Sequence, residues 1–414
     1  MRGGSQAERL WARTGDNPAG PSHAAPGSGL AGGPINGFAF LGVAIASFGG
    51  PLALAALYAP AALDNVGSAT GLVAAVGSAV FVVPMLVWLR ASRRVAGPGG
   101  LYSIVEAAAG RRTALVHAVL WAFSYLLYVV YTPALIVYDI LPQAAPGVRS
   151  YQSLLTILLP IGLAAAMIAG RTAMLTVIGI LAAGQLVLVV VLAVVTLGHD
   201  APVGSFTSTV ATGDATSAAG QIALLYVCGS LPLYLGGEVA RPARMLPRGI
   251  GVGYAVAAVG VVAAVFPLSE NPAFLHAPIP GMSVAEVFAG HGFALAIGFG
   301  VAASIAGVVL VEMLAVSRLA HAVTRWPTRR FSWLLAAALV ASGPVTLANP
   351  TAVYQDLLKP SLVALWLSQL IVFVVSPALF RGPGGRRLTT LALAVGGSAF
   401  ALLGLYSALG SAGS

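Results

Sequence analysis

An isolated acidic side chain, Glu312, lies within the apolar run AGVVLVEMLAVSRLA at residues 306–320. Its helical neighbours three and four residues away are three valines and one alanine, none of which could pair with a carboxylate. A buried acid costs free energy unless it meets a proton, a cation or a hydrogen-bond donor. This residue therefore indicates proton exchange or recognition of an amine, and a structural hydrogen bond to another helix is the alternative.

Other polar side chains in apolar runs are also candidates. Tyr125, Tyr128 and Tyr131 follow one another at about one helical turn. We predict that Tyr128, near the middle of its run, faces a bound substrate, and ordinary packing of the three rings is the alternative. Asp356 and Lys359 have the spacing of one helical turn near the outer end of another run. They could close an outer gate, or form a surface pair of little energetic value.

Two apolar runs are interrupted near their middles. The run FAFLGVAIASFGGPLALAALYAP contains Gly-Gly-Pro at residues 49–51, and a later run contains Cys-Gly-Ser-Leu-Pro at 228–232. Proline removes a backbone donor, and glycine lowers the cost of irregular dihedral angles. In lipid, a freed backbone group needs a partner in the protein or in a water-filled cavity. Glycine and proline that merely permit close helix packing are the alternative.

Interrupted helices in matching positions of two halves are a sequence signal for a binding site in membrane carriers. Freed amides at the start of a half-helix can hold anions, and freed carbonyls can hold cations or ammonium groups. We therefore predict a substrate site formed by the two breaks and one tyrosine. Its candidate residues are Ala46, Ser47, Phe48, Gly49, Gly50, Tyr128, Cys228, Gly229, Ser230 and Leu231.

The composition indicates the elements that position these residues. Of 414 residues, 58% are hydrophobic and only 8% are charged, against about 25% charged in soluble domains. Apolar runs of about 20 residues therefore predict an all-α integral membrane protein. We predict eleven spans, at approximately 37–60, 67–89, 114–141, 152–169, 172–198, 217–239, 250–268, 290–317, 331–348, 358–380 and 388–408.

The charges predict an orientation in the membrane. With a cytoplasmic N-terminus, 19 of the 21 Lys and Arg residues fall in cytoplasmic segments, and only Arg149 and Lys359 fall outside. Segments rich in basic residues thus alternate with segments poor in them from one span to the next. This pattern follows the positive-inside rule and supports the count of eleven spans. Residues 1–30 are polar and rich in Gly, Pro and Ser, which predicts a disordered cytoplasmic tail. Arginine outnumbers lysine 20 to 1, which suggests GC-rich coding and a bacterial plasma (inner) membrane.

Several classes of function lack their motifs. One cysteine and six scattered histidines form neither a disulfide nor a metal-ligand pattern, and we predict no cofactor. The chain has no phosphate-binding loop, which excludes an ATP-driven pump within it. Its arginines are scattered between apolar runs, so we predict no nucleic-acid partner. A membrane enzyme would need clustered acidic or histidine side chains within the spans, and the sequence offers none.

Three further stretches carry a family resemblance. GGEVARPARMLPRGI at 236–250 resembles the exit of the sixth span in amino acid–polyamine–organocation (APC) permeases. GPGGLYSIVEAAAGRR at 97–112 resembles the loop between their second and third spans, and AVSRLAHAVTRWP at 315–327 is similar to their Ser-Arg signature after the eighth span. The three stretches occur in the expected order, and the resemblance covers residues from about 37 to 380.

The resemblance implies a leucine-transporter-like fold of two inverted five-helix repeats, with helices 1 and 6 broken. Residues 37–198 would form the first repeat, 217–380 the second, and 388–408 an extra eleventh helix. The basic, proline-rich run after Gly237 would be the inner end of helix six, capped by Glu238. Gln185 takes the place where some members carry a lysine instead of a sodium ion, and it could support the break in span 1.

The sequence departs from the family in two places. Ala-Ser-Phe-Gly-Gly-Pro at 46–51 replaces the usual Gly-x-Gly-Ile-Phe of the first break, which weakens the expected carboxylate clamp. Many members also have twelve spans. For Gln185, ordinary hydrogen bonding between helices is the alternative to a supporting role.

We therefore predict a secondary active transporter, not an enzyme, that moves an amino acid or small amine by alternating access. A proton is the expected coupling ion because of Glu312, and the lipid bilayer is the surrounding partner. Three alternatives remain open: a non-transporting sensor or scaffold on the same fold, a sodium-coupled carrier and an exchange-type carrier.

Overall fold

The computed structural model describes residues 34–199, 203–265, 268, 274–380 and 386–410. This part of the chain is helical, with one isolated bridge between Ile35 and Val239 in place of any sheet. The predicted tail at 1–30 lies outside the described residues. Eleven helices are long and apolar enough to cross a membrane, which confirms the predicted fold class.

We number these helices as spans 1 to 11 in chain order. Their bounds are Gly37–Ala62, Gly67–Ser92, Arg111–Ala144, Pro146–Ile168, Arg171–His199, Thr212–Leu235, Pro242–Val265, His291–Thr324, Thr328–Ala348, Pro350–Phe380 and Arg387–Gly410. Spans 2, 4, 6, 8 and 10 end at one side of the bundle, where the arginines concentrate. We call this side the arginine-rich face.

Three boundaries correct the sequence prediction, and one is the start of span 10 at Pro350, eight residues before the predicted 358. The run RPARMLPRG is the start of span 7, which begins at Pro242, and is not the inner end of helix six. Proline is favoured in the first helical turn because its missing N–H would have no intrahelical acceptor there. The Ser-Arg pair at 317–318 lies inside span 8, which continues to Thr324, and not after it.

A repeated unit relates the two halves of the chain. Short helices at Leu101–Ala109 and Pro280–Ala289 precede spans 3 and 8, and each ends at a glycine that begins the long span. Gly110 has φ 84° and ψ 169°, and Gly290 has φ 86° and ψ 170°. Five crossings separate the two units, so they lie on opposite sides of the membrane. This is the geometry of an inverted repeat.

Burial identifies the central helices. Within the most apolar windows, 83% of span 1, 78% of span 6 and 72% of span 8 is buried, against 28% of spans 4, 5 and 11. Small residues permit the close approach: a Cβ on Gly253 would lie 2.6 Å from the Ala44 carbonyl oxygen. The broken spans and the span that carries Glu312 therefore form the centre of the bundle.

Spans 3 and 10 pack as an antiparallel pair beside this centre. Ser361 donates to the carbonyl of Ser124 over 2.9 Å, and His117 Nδ1 lies 3.1 Å from the carbonyl oxygen of Ser368. Residue numbers thus fall along one helix as they rise along the other. This polar seam fixes the register of span 3, which presents its tyrosines to the central helices.

Span 11 packs on the outside of spans 2 and 10. A Cβ on Gly397 would lie 2.6 Å from the Phe373 ring, and one on Gly404 would lie 2.3 Å from the Trp366 ring. These two glycines let span 11 seat against the large aromatic side chains of span 10. At these positions span 11 contacts span 10 and neither break. It therefore supports the bundle from the side.

Candidate functional site

Span 1 is broken in the middle of the bundle. Its first half ends at Ser47, and its second half begins at Pro51. Gly49 and Gly50 between them have φ of 71° and 70°, a region that side-chain-bearing residues rarely adopt. The sequence cue Gly-Gly-Pro therefore produces a true interruption and not a packing contact.

Span 6 is broken differently. Its α-helix ends at Leu224, and Val227–Leu235 continues as a 3-10 helix whose nine residues are all buried. The interruption thus begins three to four residues before Cys228, earlier than the sequence prediction. A 3-10 helix leaves backbone groups in poorer hydrogen-bond geometry, which makes them available to other partners.

The two breaks meet through Phe48 and Gly229. A Cβ on Gly229 would lie 2.1 Å from the Phe48 ring, so only glycine permits this contact. The ring is fully buried and also packs edge-on against Phe81, with centroids 6.3 Å apart. Phe48 is therefore the apolar contact that holds the two interrupted segments together on the side of spans 2 and 7.

A hydrogen-bonded chain supports the span 1 break from the other side. Ser304 of span 8 donates to Gln185 Oε1 of span 5 over 2.5 Å, and its Oγ accepts from the Ala53 N–H over 3.4 Å. A Cβ on Gly50 would lie 2.2 Å from the same Oγ. Gln185 Nε2 is buried and has no hydrogen-bond partner in the described part of the chain.

Ser304 was not singled out from the sequence. Serine is common in membrane helices, where it bonds to its own backbone, so its residue type alone carries little signal. One cue was present: Ser304 precedes Glu312 by two helical turns on the same span. The structure places Gln185 beside the first break through Ser304, not through a carbonyl of span 1.

Glu312 lies at the level of the second break. The residue is fully buried, and neither carboxyl oxygen has a hydrogen-bond partner among the described residues. It is close enough to Tyr125, Tyr128, Tyr131 and Cys228 to interact electrostatically with each. The alternative predicted from the sequence is a structural hydrogen bond from Glu312 to another helix. No described residue forms such a bond in this conformation.

The tyrosines of span 3 divide into two groups. The Tyr125 hydroxyl lies 3.9 Å from Cys228 Sγ, at the span 6 break. Tyr128 and Tyr131 form an edge-to-face pair 5.2 Å apart, and Tyr131 packs edge-on against Tyr354 of span 10. Aromatic side chains thus extend from Glu312 toward the face opposite the arginines.

The predicted outer gate is not formed in this conformation. Asp356 is exposed and Lys359 is partly exposed in the first turns of span 10, and no ion pair joins them. Both belong to the described residues. Their role as a gate stays a prediction for another conformation.

A charge cluster closes the arginine-rich face. Glu238 accepts from Arg318 Nε over 2.6 Å and from Arg171 over 3.3 Å. The Ile35 N–H donates to the Glu238 carbonyl over 2.8 Å, which fixes the segment before span 1. Glu238 therefore links spans 1, 5, 6 and 8, a broader role than the helix cap expected from the sequence.

The three stretches that carry the family resemblance meet at this closure. A Cβ on Gly236 would lie 3.0 Å from the Gly97 carbonyl oxygen, and one on Gly237 would lie 3.1 Å from Pro98. Glu238, the next residue, reaches Arg318 of the third stretch. Gly236 and Gly237 thus permit the close contact between two of the stretches, and Glu238 and Arg318 join two of them through a buried ion pair.

We expect Gly50→Ala to destabilise the protein. The new methyl group would meet Ser304 at 2.2 Å, and the positive φ adds strain, together costing about 2–4 kcal/mol. Gly251→Ala is the matched control, because nothing lies within 4 Å of its Cβ position. Thermal unfolding in detergent checks the difference. A Gly50→Ala protein as stable as the control would show that the break tolerates a side chain.

Comparison with known proteins supports the inverted-repeat fold with two broken spans that is described above. Neither a protein-family profile nor a curated protein matches the sequence. Among solved structures, MhsT in complex with L-phenylalanine superposes with a TM-score of 0.59 at 14% identity, over 89% of this chain and 98% of that one. A manganese transporter from Eremococcus coleocola superposes with a TM-score of 0.62 at 11% identity, over 93% and 91%.

These similarities establish the fold. The chain has the leucine-transporter-like fold of inverted five-helix repeats, as the resemblance to APC permeases implied. At such low identity the two structures provide no residue roles for this chain.

Proposed function

We propose that the protein is a secondary active transporter, which moves an amino acid or small amine by alternating access and uses protons as the coupling ion. The observation that carries the proposal is the meeting of two interrupted helices beside an acid without a partner. Freed backbone groups and one unmatched carboxyl are what a small polar cargo requires at mid-membrane. An APC-type permease in a plasma membrane, with a cytoplasmic N-terminus, is the form we favour.

The closure at the arginine-rich face gives alternating access a physical basis. Arg171 and Arg318 belong to spans 5 and 8, and Glu238 follows span 6, so separating the three would open a path from that face to the breaks. The tyrosines of spans 3 and 10 lie toward the opposite face. One group of contacts would open while the other stays closed.

Gln185 favours protons over sodium as the coupling ion. Its side-chain amide already supports the span 1 break through Ser304, so the break has a protein partner at this point. A sodium-coupled carrier is the alternative. Uptake that depends on external sodium and not on pH would support that alternative.

A metal cargo is the second possibility, because one similar structure is a manganese transporter. The described residues of this chain contain no group of three His, Cys, Asp or Glu side chains that could hold a metal ion. Transition-metal sites are built from such clusters. We therefore favour an organic cargo.

Accumulation in sealed proteoliposomes tests the proposed function. Amino acids and amines that raise the unfolding temperature would be offered as radiolabelled cargo with and without a pH gradient. We expect accumulation above the external concentration only with the gradient. Binding without accumulation would indicate the alternative of a sensor or scaffold on this fold.

A further inference from the structure

Resting on this proposed function, we infer that the cargo is an amine without an α-carboxylate, whose ammonium or guanidinium group binds Glu312. Among the described residues, the binding site has a charged match for a positive group but no free basic side chain for a negative one. Charge, hydrogen-bond capacity and the use of backbone donors each lead to this substrate class.

When Glu312 is ionised, the charge of the site favours a monocation over a balanced zwitterion. Glu312 is fully buried, and its two oxygens meet no donor in the described residues. Two basic side chains are buried among the described residues: Arg318, which already pairs with Glu238, and His117, whose Nδ1 lies against the Ser368 carbonyl between spans 3 and 10. A zwitterion would leave the ionised site with one net negative charge away from water, whereas a monocation neutralises it.

The carboxyl oxygens specify the kind of cation. Two oxygens without partners offer about four acceptor positions, which primary ammonium, secondary ammonium or guanidinium groups can fill with N–H donors. A quaternary ammonium has no N–H and would leave both oxygens unsatisfied. Tyr128 lies within electrostatic range of the same acid.

The end of the first half-helix leaves carbonyl acceptors at the span 1 break. Its last four carbonyls, from Ala44 to Ser47, have no intrahelical partner. The Ser47 hydroxyl donates to the carbonyl of Ala44, and the Phe48 N–H donates to that of Ile45. The carbonyls of Ala46 and Ser47 remain for N–H donors of the cargo.

The start of the second half-helix is a poor place for a carboxylate. Of its first four positions, Pro51 has no N–H, and the Ala53 N–H is bound to Ser304. This leaves Gly50 and Leu52, half the donors of an ordinary helix start. No basic side chain supplements them among the buried residues described.

Proton coupling follows from the same geometry. A proton and an ammonium group would occupy the same carboxyl, so the two cannot bind Glu312 together. Binding of the amine releases the proton, and return of the proton releases the amine. The expected cycle is therefore exchange of one protonated amine for one proton.

Matched pairs of compounds test the inference. Each pair would differ only in the carboxylate, so that a monocation is compared with a net-neutral zwitterion: 2-phenylethylamine and phenylalanine, tyramine and tyrosine, isoamylamine and leucine. We expect at least one amine to bind the purified wild-type protein about tenfold or more tightly than its amino acid, measured by thermal shift. Glu312→Gln should abolish the shift, and Asp214→Asn, an exposed acid at the start of span 6, should retain it.

The outcomes separate the inference from the proposed function. A panel in which no amine binds more tightly than its amino acid overturns the inference, whatever the Glu312 variant does. If an amino acid accumulates in vesicles and its amine does not, the transporter stands and the inference fails. If an amine binds but never accumulates in sealed vesicles, the inference on the ligand stands and the proposed transport fails.

Discussion

Replacement of Glu312 by glutamine is expected to reduce proton-driven uptake about 100-fold and to remove its dependence on pH. The amide keeps the shape of the side chain but can neither take up a proton nor balance a buried cation. Loss of a charge-assisted hydrogen-bonded pair of roughly 3 kcal/mol corresponds to this factor. Uptake by proteoliposomes, measured across a series of pH gradients, gives the result.

Two comparisons make the Glu312 experiment decisive. Asp214→Asn removes one acidic charge at an exposed position far from both breaks and should transport like the wild type. Thermal unfolding of the glutamine variant shows whether it folds. A folded Glu312→Gln protein that still responds to the pH gradient would rule out this residue as the coupling group.

Removal of the Arg318 guanidinium has the largest expected effect on stability. Arg318→Met removes the 2.6 Å and 3.3 Å hydrogen bonds from Arg318 to the buried Glu238 carboxylate and leaves its pairing with Arg171. Breaking one partner of a buried ion pair typically costs about 3–5 kcal/mol. We expect a corresponding fall in the unfolding temperature in detergent. We also expect the closed conformation to open more often at the arginine-rich face.

Paired variants distinguish this ion pair from a simple loss of packing. Arg318→Met with Glu238→Gln should recover part of the stability, since no unpaired carboxylate remains. Arg329→Met changes an exposed arginine nearby and should shift stability by no more than about 0.5 kcal/mol. Equal stability of Arg318→Met and Arg329→Met would contradict a structural role for the cluster.

The membrane fold could be predicted because the bilayer limits the possible elements. Runs of about 20 apolar residues with arginines between them fix the number of crossings. Gly-Gly-Pro at 49–51 marks the span 1 break because each residue acts locally on the backbone. The start of span 7 was missed because proline is compatible with a first helical turn as well as with a loop.

The partners within the site could be predicted only in part. Glu312 has only apolar neighbours along its helix in the sequence, and its carboxyl oxygens have no hydrogen-bond partner among the residues that the structure describes. Ser304 and Gln185 are 119 residues apart, and Arg318 and Glu238 are 80 residues apart. Helical periodicity says which residues share one face, but not which distant face packs against it. Those contacts required the fold.

The two breaks lie in related positions of the two repeats, but they are not identical. Inverted repeats place spans 1 and 6 in related positions, yet span 1 uses two glycines with positive φ and span 6 uses a buried 3-10 helix. The first break leaves discrete carbonyls and amides, while the second supplies a compact wall that includes Cys228 and Gly229. Symmetry therefore sets the location of the site, and local sequence sets its chemistry.

Thiol labelling of Cys228 provides the most direct test of a ligand site at the two breaks. It is the only cysteine in the 414 residues and is 9% exposed, so a maleimide that enters the membrane reports on this position alone. We predict that a saturating concentration of an amine that raises the unfolding temperature slows labelling at least about tenfold, and that Glu312→Gln shows no such protection. Labelling of the wild-type protein at the same rate with and without that amine would contradict a binding site between the broken helices.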